Sequence, residues 1–198
     1  MPGQDSSEVI QTRGLLLYTE PYSSANVMPV DSAWGTAPGG AWVEKGYTDG
    51  GFNVNATMSY EDVTVDQNIY PIFTIGTSGD IHFVVNLAQV TAANLKEALG
   101  SQGTLSTVAA GSGTRGHTDL AITGDVTVSY ITAYMDIRHP GDGEGLRPVI
   151  WKGQCRGNPT MQFAPGQKAL LPLDIQAYPD TVNASRVLTW RDVIAALP

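Results

Sequence analysis

Residues 46–100 constrain the fold more than any other stretch, because their hydrophobic period changes once along the way. Glu61 to Ile75 (EDVTVDQNIYPIFTI) alternates, with Val63, Val65, Ile69, Phe73 and Ile75 on one face and Thr64, Asp66, Asn68 and Thr74 on the other. A period of two predicts a strand with one buried face. Thr77-Ser78-Gly79-Asp80 has turn chemistry, since Gly tolerates positive φ and Ser and Asp bond to nearby backbone. Ile81 to Val90 alternates again, setting Ile81, Phe83, Val85 and Leu87 against His82, Asn86 and Ala88. The period then lengthens. Thr91 suits an N-cap, Leu95 and Leu99 share one helix face, and Gly100 is a natural stop. The expected unit is a long β-hairpin feeding a short helix, about residues 91–99, that packs on it.

The rest of the chain reads as short strands between turns. GLLLY at Gly14–Tyr18 predicts a first strand, and Thr19–Gly40 a loop carrying Pro21, Pro29 and Pro38. Val43–Gly51 reads as a tight glycine-punctuated segment, followed by a strand over Phe52–Met58. Residues 101–118 are small and polar and predict a long exposed or partly ordered loop. A second hairpin is expected from Leu120 to Ile137, turning at Gly124-Asp125. Val126–Ile137 is apolar on both faces, so that strand should be central or covered on each side. Val149–Gly157 and Ala169–Tyr178 predict further strands, the latter an edge strand because of Pro172. The tail, Ser185–Leu197, reads as a short strand or helix. The polar residues 1–13 are expected to be mobile.

With 198 residues the chain suits a single domain, 1–198, with a sizeable core. Charged residues make up only 15% while 22 Gly and 12 Pro punctuate the chain, which favours a mainly β fold over a helical bundle. The net charge of −8 should repel nucleic acid and anionic membrane. The single cysteine, Cys155, excludes an intramolecular disulfide. No apolar run reaches about 18 residues, so no transmembrane helix is expected. The first residues lack a basic segment followed by an apolar one, which makes a reducing cytoplasm the expected place of synthesis.

Motifs for catalysis, cofactors or metals do not assemble. Gly111-Ser-Gly-Thr-Arg-Gly116 fits the dinucleotide pattern G-x-G-x-x-G, but that pattern needs a helix opening behind it, and a β-like stretch follows instead. His82, His117 and His139 lie in separate segments without metal-ligand spacing, so they read as surface histidines. Arg156 beside Cys155 would lower the thiol pKa, yet a structural thiol is favoured. Glu61, Asp62 and Asp66 cluster, as a glycosidase carboxylate pair would, but no sugar groove accompanies them. No catalytic residue, cofactor or metal ligand is expected.

The order of segments resembles the tail tube (major tail) proteins of long-tailed, siphovirus-like bacteriophages. The resemblance is carried by GYTDGGFNVNATMSYEDVTVDQNIYPIFTI, a Ser-Gly-Asp turn, IHFVVNLAQVTAANLKEALG, a Gly/Ser-rich loop and a C-terminal β region ending Ala-Leu-Pro. Gly46, Tyr47, Thr48, Gly51, Asp66, Pro71, Thr91, Asn94, Leu95, Ala98 and Leu99 fit the family arrangement, and Gln89 stands where a Glu is expected. The match is strongest over about residues 42–100. It implies a β-sandwich or barrel-like tail tube fold with one flanking helix. Six copies would form a ring, and rings would stack into a tube for DNA ejection. Tape measure protein and genomic DNA would pass through the lumen, with tail terminator and distal tail or baseplate proteins at the ends. The place implied is the virion tail, assembled in the host cytoplasm. Asp66 and Asn68, on the polar face of the first long strand, are the lumen-facing candidates. Tyr47, Thr48, Asp49, Phe52 and Arg115, in the segments 46–60 and 100–118, are the candidates for contacts between subunits and stacked rings.

Two other classes compete. A carbohydrate-binding or adhesion β-module would stack sugars on exposed Trp34, Trp42 or Trp151. A hydrolase would use the Glu61/Asp62 pair.

Overall fold

The structure, a computed structural model, describes residues 14–29, 38–124, 127–138 and 145–193. The expectations for residues 1–13, Trp34, Asp125, His139 and the end of the tail lie outside those residues. The elements are β1 (Gly14–Pro21), β2 (Val43–Glu44), β3 (Thr48–Val63), β4 (Phe73–Leu87), α1 (Ala92–Ala98), β5 (Thr104–Val108), β6 (His117–Ala121), β7 (Ile131–Arg138), β8 (Gly145–Cys155), β9 (Leu171–Ala177) and β10 (Leu188–Val193). The protein is mainly β. One antiparallel sheet runs β2-β1-β7-β8-β9-β4-β3, with β10 also on β8, and β5 and β6 form a separate hairpin.

β8 joins the sheet together. β7 lies along one flank, and two strands share the other. β10 pairs with Gly145–Ile150, and β9 pairs only with Gly153, Gln154 and Cys155.

Strand alternation sorts the apolar residues onto two faces. On one face Leu17, Phe83, Val85, Leu87, Met135, Ile150, Leu173 and Ile175 form the main core, closed by Ala98 and Leu95 of α1. On the other, Tyr18, Tyr134, Val149 and Trp151 pack under Met28 and Trp42. That second face also buries Asp136, whose carboxylate accepts from Arg147 Nε at 3.0 Å. β7 is therefore covered on both sides, as its two-faced apolar pattern requires.

The helix forms as its caps dictate. Thr91 Oγ1 accepts from the Asn94 amide at 3.1 Å. At the other end Gly100, at φ +73°, turns the chain so that its amide reaches Glu97 O and the Ser101 amide reaches Lys96 O. Asn94, buried, donates to Lys45 O and Gln89 O, tying the 45–47 segment and the pre-helix chain to α1. Gln89 lies across Gly46, where a Cβ would meet its side chain.

Several boundaries differ from expectation. The hairpin turns at residues 64–72, not at Thr77–Asp80. The Val63–Phe73 alternation is real, but those residues face each other across two strands. Thr77–Asp80 continues inside β4, with a register shift opposite Ser59/Tyr60. The strand expected over Phe52–Met58 is present but longer, Thr48–Val63, because the glycine-punctuated Asp49-Gly50-Gly51 is taken into β3 as a register shift instead of standing before it as a loop. Residues 104–121 hold β5 and β6, whose Ser/Thr-rich sequence hides the Leu105–Leu120 and Thr107–Thr118 cross-strand pairs. Residues 127–130 precede β7 rather than belonging to it. β9 is internal despite Pro172. β8 ends at Cys155, so the flank of β9 beside Pro172 has no β8 partner. The tail pairs as strand β10.

Candidate assembly surface

The β3–β4 hairpin outgrows the body. β4 pairs with β9 only from His82 to Leu87, and β3 is the last strand of the sheet. From Ala56 and Ile81 outward the two strands run alone to the turn. A two-stranded hairpin without a third strand or a packed face is marginally stable in water.

Its side chains are not those of a solvated arm. On the face continuous with the core, Met58 lies over Gly79 and the Tyr60 ring over Gly76. On the opposite face Val63 pairs with Phe73 and Glu61 with Ile75. At the turn the Asn68 amide reaches Val65 O and the Ile72 amide reaches Val63 O, closing a loop that lifts Ile69 and Tyr70 into solvent. Ile69 is 95% exposed and Tyr70 75%. Met58, Tyr60, Ile72, Phe73 and Ile75 are exposed as well. Apolar side chains grouped on both faces and the tip of one projection mark an interaction site.

The expected site residues scatter around this arm. Asp66 and Asn68 lie in the turn, not on the polar face of a strand, because the chain reverses where alternation alone suggested continuation. Asn68 Oδ1 there accepts from the Tyr70 amide. Tyr47 is exposed beside the arm's base. Thr48 opens β3 opposite Leu87. Asp49 pairs with Lys168 at 2.7 Å. Phe52 turns inward, edge-to-face on Phe83 with centroids 4.9 Å apart, so it anchors the arm to the core instead of lining a loop. Arg115 is exposed in the β5–β6 loop, far along the chain from the arm. Met58, Tyr60, Ile69, Tyr70, Phe73 and Ile75 carry most of the surface; alternation alone places Ile69, Phe73 and Ile75 on a buried strand face, but the chain reverses at 64–72 and leaves them exposed. The legible signal was Ile69-Tyr70-Pro71-Ile72-Phe73, an apolar run spanning a turn.

At the arm's root sits an ionic cluster. His82 Nδ1 is 2.7 Å from Asp174 Oδ1 on β9, and its Nε2 is 3.0 Å from Asp80 Oδ2 on the arm side of β4. Gln176 donates to Asp80 and accepts from the Tyr178 hydroxyl. Arg156 lies over the Tyr178 ring at 5.4 Å. Burial pulls the His82 pKa down, and the bonds to Asp174 and then Asp80 outweigh it, leaving a net rise. The bonds from Gln176 and His82 hold the Asp80 carboxyl below its ordinary value. This histidine is half-buried and doubly held, not an ordinary surface group.

The described residues named for the competing chemistries are placed as follows. Glu61 and Asp62 are neighbours on a strand and point to opposite faces, one opposite Ile75 and the other bonded to Thr74 Oγ1 at 2.6 Å. They cannot flank one bond. Trp42 packs on Tyr134, and Trp151 is buried beneath the Arg186 guanidinium, 3.6 Å from the ring centroid. Neither offers a sugar platform. The Gly111–Gly116 run lies in the β5–β6 loop and opens no helix. Cys155 is buried, and burial pushes its thiol pKa well up. Among the described residues no three His, Cys, Asp or Glu are grouped to hold a metal ion, and no helix is long and apolar enough to cross a membrane. The sequence matches no family model and no curated protein.

Proposed function

We propose that this chain is a non-catalytic structural subunit that assembles with copies of itself into stacked hexameric rings, forming the tail tube of a long-tailed bacteriophage. The observation that carries the reading is the β3–β4 arm, two strands alone with apolar side chains on both faces and at the tip. Such an arm gains most by laying those side chains on another subunit, whose strands also cover its open edges. A head-to-tail contact of this kind closes into rings when its rotation permits. The hexamer, the stacking, the sandwich or barrel-like architecture and the virion location come from the resemblance over residues 42–100. So do the partners: tape measure protein inside, terminator and distal tail or baseplate proteins at the ends.

With Asp66 and Asn68 in the turn, a further lumen candidate is the polar face made by Asn53, Asn55, Asp80, His82, Asp174 and Gln176. Along β3, β4 and β9 it carries amides and one histidine held between two carboxylates, a face with no net positive charge to hold a polyanion.

Negative-stain electron microscopy across a concentration series, with light scattering, tests the reading. Six-fold rings or hollow tubes are expected. Compact monomers at high concentration, both alone and with a tail-tip initiator complex, would overturn it.

A further inference from the structure

His82 occupies the last position at which β4 is paired to the body, opposite Gln176 of β9. One step outward the arm begins. Both ring nitrogens face carboxylates, Asp174 from the body and Asp80 from the arm side. A neutral imidazole carries one N–H, so it donates to one carboxylate and turns a lone pair on the other. Only the imidazolium donates to both. The other groups around the ring do not substitute for that second proton. Asn55 faces His82 across β3 and is uncharged. Gln176 already gives its amide to Asp80. Arg156 lies over Tyr178, close enough to Asp80 to favour its anion, which adds to the demand for a donor.

We propose that His82 is a proton-operated clasp at the root of the arm: protonated, it ties Asp80 to Asp174 and fixes the arm's departure from the body; neutral, it releases one of them and loosens that root. The inference concerns the single subunit and stands apart from ring formation. Its direction follows from linkage. The clasp is complete below the ordinary imidazole value of 6.5 and is lost as pH rises through the higher value that the folded site sets.

The test uses dilute, unassembled protein. Amide-exchange protection factors are measured for residues 54–60 and 76–84 at pH 5.5 and 8.5, in the wild type and in His82→Gln, whose amide offers one donor edge at every pH. The wild type should lose roughly three- to tenfold protection at the root on going to pH 8.5, the scale of one charge-assisted hydrogen bond partly screened by solvent. The variant should show the lower protection at both. Equal wild-type protection at the two pH values, or the same loss in the variant, would overturn the clasp. Imidazole nitrogen shifts in the wild type provide a second measurement that does not require the variant to fold. They should report both nitrogens protonated at pH 5.5, with titration of His82 tracking the shifts of the root amides. A titration that leaves those amides unmoved overturns the proposal equally.

Discussion

The β7–β8 pair and the outer half of β3–β4 are both antiparallel ladders with apolar residues on both faces, and they stand in opposite surroundings. Around β7 each face finds cover within the chain. Ala133, Met135 and Ile137 meet the main core, and Tyr134 meets Tyr18 at a 5.6 Å ring separation under Trp42. Around the arm neither face finds any among the described residues, and Phe73, Ile75, Met58 and Tyr60 stay in water. A two-faced apolar strand tells only that cover exists. Whether the cover belongs to the same molecule depends on what else the chain holds, and here the described residues cover one ladder and leave the other bare.

The comparison can be broken at its covered end first. Asp136→Ala leaves Arg147 buried without that carboxylate, and should lower subunit stability by about 3–5 kcal/mol, read from urea unfolding. A loss under about 1 kcal/mol would mean that the second face is wetter than its geometry implies. Asn94→Ala probes the joint between the regions. It strands Lys45 O and Gln89 O at the helix beside the arm's base, and about 1–3 kcal/mol should follow in the same assay. The smallest effect on the isolated subunit belongs to the bare end. Ile69→Lys with Phe73→Lys should change unfolding by no more than about 0.5 kcal/mol per site, because both side chains are exposed among the described residues. The same pair should abolish rings and tubes in electron micrographs. Large destabilisation of the monomer would show that the arm folds back on its own body, and unchanged assembly would move the interface elsewhere.

Much of this was legible in the sequence for a physical reason. Caps and periodicity are local, so Thr91, Leu95, Leu99 and Gly100 defined α1 to within a residue. The two-faced pattern after residue 126 correctly demanded a covered strand, although its first residues lie ahead of β7. Turn placement failed because Gly79 and Asp80 have turn chemistry and yet sit in a ladder, where Gly79 makes room for Met58. The true turn at Val65–Ile72 is rich in Val, Ile and Tyr, and its alternation imitates a strand. The His82 clasp was invisible because Asp174 lies 92 positions away and reaches it only through the β4–β9 register. The arm's exposure was hidden for a related reason: periodicity reports which side chains share a face, not how many strands lie beside them.

The divided flank of β8 has a mechanical meaning. A pull on the arm passes down β4 and crosses to β9 through the register from His82 to Leu87. From β9 it reaches β8 only through Gly153, Gln154 and Cys155, with backbone bonds from Arg156 to Asp174 and from Tyr178 to Lys152 on either side. In that series of strand junctions the last has the fewest cross-strand positions. Under load it is the fuse of that series: the strands would part between β9 and β8 before β4 parted from β9.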